Sequence, residues 1–133
     1  MRAKLGILVV GAGLMITAAP VFAHHSFAAE YDASKPVDVK GVVTKVEWTN
    51  PHARFYVDVK DEKGNVTNWN FELASPNVLS RNGWTRHSLK EGDTISVQGS
   101  KAKDGANLAN AKTVTLADGR KVFAGSATDN EGK

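Results

Sequence analysis

The sequence predicts a mainly β domain, a five-stranded barrel of the OB-fold kind with one short helix between strands three and four. Three observations carry that expectation. Short runs in which apolar and polar residues alternate recur between Val37 and Leu116, separated by glycine-bearing turns. One serine-capped, proline-led segment interrupts them after the third run. The first run is long and has Gly41 within it, as a strand needs if it is to bend and pair on both sides of a closing barrel. A plain antiparallel sandwich is the competing architecture.

The elements follow in order. Strand one runs from Val37 to Trp48. Val37 and Val39 share one face, and the apolar phase moves to Val42, Val46 and Trp48 after Gly41, which predicts a bulge or sharp bend at that glycine. Thr49-Asn50-Pro51-His52 is a loop. Phe55, Val57 and Val59 alternate with Arg54, Tyr56 and Asp58 as strand two, and Asp61 to Asn65, with Gly64, turns the chain. Trp69, Phe71 and Leu73 alternate with Asn68, Asn70 and Glu72 as strand three. Ser75-Pro76 opens a helix of about two turns that Gly83 closes. Leu89 to Asp93 turns into strand four, Thr94 to Gly99. A loop at Asp104 to Asn107 leads to strand five, Ala111 to Leu116. Asp118-Gly119 turns once more, and Lys121-Val122-Phe123 is a candidate short sixth segment.

Ahead of this domain, assigned to residues 37–125, lies an arm over residues 24–36. Its Phe27 and Tyr31 are four apart, the spacing of one helical turn or of a docked extended arm. A flexible polar tail is expected over residues 126–133. Residues 1–23 read as a cleavable signal peptide. Arg2 and Lys4 precede an uncharged apolar stretch from Leu5 to Ala19, Pro20 breaks it, and Val21-Phe22-Ala23 fits a cleavage site. The stretch is shorter than the roughly 20 residues that span a bilayer. The expected location is therefore the periplasm, with no membrane partner once the signal is removed. The chain has no cysteine, which suits a bacterial periplasm and argues against a disulfide-rich extracellular module.

Charge excludes one class of partner. The 17 Lys and Arg residues face 14 Asp and Glu, and Arg2 and Lys4 leave with the signal. The remainder is near balance and interspersed, as in Lys60-Asp61-Glu62-Lys63, without the basic patch that nucleic-acid binding requires.

His24-His25-Ser26-Phe27, Glu47-Trp48-Thr49-Asn50-Pro51-His52, Trp69, Ser75-Pro76-Asn77, Arg81-Asn82-Gly83-Trp84 and Leu116-Ala117-Asp118-Gly119-Arg120 resemble a family of small exported bacterial proteins that carries only a domain-of-unknown-function label. The resemblance spans the chain from His24 to about Gly125. It implies a secreted, OB-like β domain and brings no activity and no site residue with it.

The chemistry must come from the side chains. The chain has four histidines, His24, His25, His52 and His87. Cleavage after Ala23 makes His24 the first residue, whose α-amine and imbedded imidazole chelate one metal. An α-amine of pKa about 8 and an imidazole of about 6.5 both become free with little proton cost near neutrality. His25 adds a second imidazole, and nitrogen donors in a tetragonal set favour Cu(II). One further imidazole, from His52 or His87, would complete a three-histidine site, and His52 is the candidate third ligand. It lies in the loop between strands one and two, and strand three should return beside it, so Trp48, Asn50, Ser75 and Asn77 form a candidate polar ligand rim around it. Against this stands a plainer role for His52, a loop-stabilising side chain with Nδ1 bonded to backbone, and His87 reads as a surface histidine. Trp48 is the tryptophan placed to stack on a ligand, whereas Trp69 reads as core and Trp84 as a plug at the barrel end.

No nucleophile elbow, catalytic cysteine or zinc-protease motif is present, and the acidic residues show no catalytic spacing. Two readings remain: a periplasmic OB-like binding module for a protein or small ligand, and a periplasmic copper-binding protein built on His24, His25 and His52.

Overall fold

The structure is a computed structural model, and it describes residues 27–125. The signal segment, His24, His25 and the tail lie outside the described residues. The elements are α1 (Phe27–Glu30), β1 (Tyr31–Glu47), β2 (Arg54–Lys60), β3 (Val66–Glu72), α2 (Pro76–Arg81), β4 (Thr94–Ala102), β5 (Leu108–Thr115) and β6 (Lys121–Phe123). The chain is mainly β, with six strands and only short helices among the described residues.

The strands form one sheet that returns on itself. β1 pairs antiparallel with β2 at one end and with β4 over the rest of its length. β2 pairs with β3, and β4 with β5. β3 then meets β5 in parallel from Asn70↔Leu108 to Glu72↔Asn110, which joins the two ends into a ring. β6 adds to β5 at Thr113–Thr115. The expected five strands are thus six, because the segment after Asp118-Gly119 pairs as a true strand. β4 and β5 also run further than their apolar alternation suggested. The extra length consists of Ser100 to Ala102 and Leu108 to Asn110, where neighbouring strands rather than side-chain pattern impose extension.

The first strand departs from expectation in two ways. It begins at Tyr31, since Tyr31↔Ala102 and Asp32↔Lys101 pair before a register shift that ends at Pro36↔Ser100. The bulge lies at Thr44, between Val43↔Val57 and Lys45↔Tyr56, and not at Gly41. Val42, which suggested the earlier phase change, is exposed, while Val43 continues the inward phase of Val37 and Val39. Gly41 serves a different need. A Cβ there would stand 2.2 Å from the Asp58 carbonyl oxygen and 2.6 Å from Val57 Cγ1. It sits where β1 passes from β4 to β2, and only glycine admits so close a backbone.

The ring encloses one core. Phe55, Phe71, Leu73, Ile95, Val57, Val97 and Val114 are buried within it, and the Phe55 and Phe71 rings stack at 5.2 Å between centroids. Each such side chain contributes about 1.5–3 kcal/mol through burial. α2 closes one end as the sequence predicts. The Ser75 hydroxyl accepts the Val78 N–H at 3.3 Å. Past Asn82, Gly83 takes φ +87°, and the Trp84 and Gly83 N–H groups donate to Leu79 and Ser80 carbonyls, so the helix ends in a Schellman motif. The same turn brings buried Trp84 onto buried Leu79's end of the ring, where its indole N–H donates to the Phe123 carbonyl at 2.8 Å.

Candidate functional site

The loop after β1 is held against the end of β3. Beyond Arg54↔Glu72 the two chains stay paired, with Leu73 N–H on the Ala53 carbonyl at 2.9 Å and Ala53 N–H on the Ala74 carbonyl at 3.1 Å. His52 leads into this pairing. Its Nδ1 lies 2.9 Å from the Leu73 carbonyl oxygen. A carbonyl only accepts, so Nδ1 carries a proton, and in the neutral ring Nε2 is the nitrogen with the lone pair. The side chain is about one-third exposed.

The other expected rim residues divide. Trp48 is half-buried and lines a tight crevice with Val46, Leu73, Trp84 and Leu89. Ser75 uses its hydroxyl on the α2 cap. Asn50 and Asn77 are exposed, and among the described residues no hydrogen bond links either of them to His52. His87 is exposed and lies elsewhere, in an open groove of about 380 Å³ with Lys90, Asp93, Asp118 and Arg120. No three His, Asp or Glu side chains converge as a metal site among the described residues.

Sequence reasoning missed the residue at the centre of the polar contacts, Glu72. It is 8% exposed. Its Oε2 accepts from Tyr31 Oη at 2.9 Å and from Arg54 Nη2 at 2.6 Å, and its Oε1 stands 3.7 Å from His52 Nδ1. Arg54 also reaches Asn70 Oδ1 at 3.4 Å. Burial and, next, the neighbouring carboxylate push the Tyr31 phenol far above its ordinary range. A signal for part of this was present in the sequence. A turn centred on Lys63 sets Lys60 opposite Val66, and counting back places Arg54 opposite Glu72. The Tyr31 contact had no such signal, since it depends on how the arm docks.

That docking is well defined. The Phe27 and Tyr31 rings stack at 5.6 Å, the Lys103 N–H donates to the Glu30 carbonyl at 2.9 Å, and Lys103 Nζ donates to the Ala28 carbonyl. Beside Glu72 in register, Asn110 pairs with Ser100. Both side chains are buried, and Ser100 Oγ and Asn110 Oδ1 have no hydrogen-bond partner among the described residues.

A family described as a family of unknown function (DUF6152) matches residues 12–111. The chain belongs to that family. Its description assigns no activity and no site residue, so the roles of Glu72 and His52 rest on their geometry. No curated protein matches the chain. Among solved structures, the chain is similar to the mitochondrial single-stranded DNA binding protein Rim1 of S. cerevisiae in two crystal forms. One form has a TM-score of 0.49 at 10% identity, covering 62% of this chain and 92% of that one. The other has 0.45 at 9% identity, covering 62% and 91%. Likeness at that level decides nothing about what this family member binds.

Proposed function

We propose that this chain is an exported OB-fold binding module that takes a protein or small ligand at the rim between the β1–β2 loop and the end of β3. Five strands paired in the order β1-β2-β3-β5-β4, with a short helix between the third and fourth, follow the OB arrangement, whose ligands lie on the strand-two and strand-three face and its adjoining loops. The signal-like pattern of residues 1–23 supports periplasmic export. The observation that carries the reading is His52: its ring is held by the Leu73 carbonyl, is part-exposed, and offers an unused acceptor at Nε2. The test is to pass a periplasmic extract over the immobilised protein beside an Asn50→Ala/His52→Ala variant. The reading expects a saturable ligand that the variant loses. Equal retention by both would remove the rim as the binding surface.

The same observation favours a second reading, a copper-binding protein. Metal-bound histidines commonly donate their other ring N–H to a backbone carbonyl, as His52 does. The docked arm brings the chain to Phe27, only three residues after His24. The test is a Cu(II) titration of protein whose intact mass confirms a start at His24, beside a version with one extra Ala before it. Tight binding lost on extension supports an α-amine ligand; binding that ignores the extension overturns it.

A further inference from the structure

We propose that the docked arm is a displaceable strap over a carbohydrate site. The site is a row of polar side chains across β2, β3, β5 and β4 that takes a neutral, polyhydroxylated ligand when residues 27–32 lift away. This rests on the binding-module reading above and deepens it by naming the ligand class and the part of the face it meets.

The row follows from register. Arg54 lies opposite Glu72, Glu72 opposite Asn110, and Asn110 opposite Ser100. Directly opposed residues of neighbouring strands point to one face of a sheet. This is the outer face, since Ala109 and Ala111 on either side of Asn110 belong to the core. An outer face ordinarily meets water, yet Ser100 and Asn110 are each 1% exposed and Glu72 is nearly as buried. The arm supplies the cover. Tyr31 pairs with Ala102, two residues along β4 from Ser100, and its hydroxyl donates to Glu72 Oε2.

That cover satisfies only part of what lies beneath it. Ser100 Oγ and Asn110 Oδ1 have no hydrogen-bond partner among the described residues. Glu72 Oε1 stands 3.7 Å from His52 Nδ1, too long for a hydrogen bond, and that N–H is given to the Leu73 carbonyl. Buried polar groups of native proteins are nearly always matched. Three under-used oxygens in one row therefore point to a partner other than the arm.

The chemistry of the row selects that partner. A carboxylate and an amide oxygen only accept, and a hydroxyl does either, so the ligand must be rich in donors. Arg54 already balances the charge of Glu72, which favours a neutral ligand over an ammonium or an oxyanion. Neighbouring members of the row are about 4.8 Å apart, the spacing of strands, whereas N–H groups along one side of an extended peptide recur about every 7 Å. Hydroxyls clustered on a sugar ring suit the closer spacing, and Tyr31 already presents one hydroxyl to Glu72 as such a ligand would. The row also crosses the strand-two and strand-three face of the OB arrangement.

The strap is held lightly. Residues 33–35 are exposed and intervene, without partners on β4, between Asp32↔Lys101 and Pro36↔Ser100. Besides Tyr31–Glu72, its links to the barrel are two register pairs and the Lys103 bonds to the Glu30 and Ala28 carbonyls. Segments with few contacts open before the rest of a fold does.

The test screens the full-length protein on an array of defined uncharged oligosaccharides and measures the tightest-bound one by calorimetry against wild type, Ser100→Ala, Asn110→Leu and Tyr31→Phe. The proposal expects Ser100→Ala and Asn110→Leu to weaken binding by about tenfold or more, and Tyr31→Phe to tighten it by about tenfold, since a strap without its hydrogen bond is easier to displace. A purely structural role gives no such pattern: Ser100→Ala and Asn110→Leu replace unpartnered polar atoms with apolar ones and should keep or raise thermal stability. If Asn110→Leu does not fold, Ser100→Ala decides alone. Saturation with the sugar should also quicken hydrogen exchange at the Lys103 N–H, which the Glu30 carbonyl protects. Weaker binding by Tyr31→Phe, or unchanged Lys103 exchange, overturns the strap. An oligosaccharide lost on Asn50→Ala/His52→Ala but indifferent to Ser100→Ala leaves the rim reading standing and removes the row. Binding of no oligosaccharide overturns the proposal, and the extract experiment then judges the rim by itself.

Discussion

Replacing Tyr31 with Phe removes a single oxygen from a side chain that is 2% exposed. That oxygen donates to Glu72 at 2.9 Å, and Glu72 keeps its Arg54 partner at 2.6 Å when it is gone. A hydrogen bond to a charged group contributes about 1.5–3 kcal/mol, so Tyr31→Phe should lower stability by about 2 kcal/mol near pH 7. The pH dependence is the sharper test. Burial, and then the Glu72 charge, raise the folded-state pKa of this phenol, while the unfolded value stays near 10. A raised folded pKa means that the native state holds the proton more tightly. The contribution is therefore complete below about pH 10 and declines as pH rises above it. With one group titrating only in the unfolded chain, the decline is about 1.4 kcal/mol per pH unit. The advantage of wild type over Tyr31→Phe should vanish between about pH 11 and 12. Urea unfolding of both proteins at pH 7, 9, 10.5 and 11.5 measures it, and every other titrating group cancels in the difference. A difference that stays constant to pH 11.5 would refute the buried phenol–carboxylate contact.

Substitutions at four further positions probe the parts that hold the site in place. Gly41→Ala puts a Cβ 2.2 Å from a backbone oxygen, so we expect a loss of about 3 kcal/mol or more. Gly64→Ala meets nothing within 4 Å but keeps φ +84° and should lose only about 1–2 kcal/mol; equal losses in urea unfolding would show that Gly41 is not a packing constraint. Trp84→Phe leaves the Phe123 carbonyl without its indole donor, at a cost of about 1–3 kcal/mol. Hydrogen exchange should quicken at Val122 and Ala124, and unchanged exchange there would contradict a role for Trp84 in closing the ring. Ser75→Ala removes the α2 cap and should cost about 1 kcal/mol, with Ser75→Asp recovering most of it in thermal melts.

The parts of the fold that follow from local chemistry were readable in the sequence. Alternation placed β2 and β3 on their faces, the Asp61–Asn65 turn set their register, and Ser75-Pro76 with Gly83 delimited α2. What the sequence concealed came from contacts between distant segments. Gly41 looked like a bulge because Val42 is apolar, but Val42 faces solvent and the glycine answers to Asp58 across the sheet. The early part of β5 carries no strand-like alternation, since Ala109, Asn110 and Ala111 are all buried and β3 pairs in parallel with Leu108 to Asn110. The site shows the same division. His52 beside the end of β3 follows from the hairpin. The burial of Glu72 does not, because strand alternation assigns it to the polar face and only the docked arm removes that face from water.

That burial is the strongest physical hint that the network has a purpose beyond stability. Taking a carboxylate and a guanidinium largely out of water costs several kcal/mol per ion, and hydrophobic side chains of similar size would often leave a domain equally or more stable. A small chain without cysteines has little stability to spare for such groups. Yet Glu72 has three polar partners around its two oxygens, and they arrive from three separate segments: Tyr31 from the arm, Arg54 from β2 and His52 from the loop. An apolar cluster would hold those segments together without fixing their rotation. A carboxylate fixes direction, because Tyr31 and Arg54 must each aim a proton at its Oε2. Directional control matters where the arm, β2 and the β1–β2 loop must keep one arrangement at the rim. It contributes little to a surface that only has to remain folded.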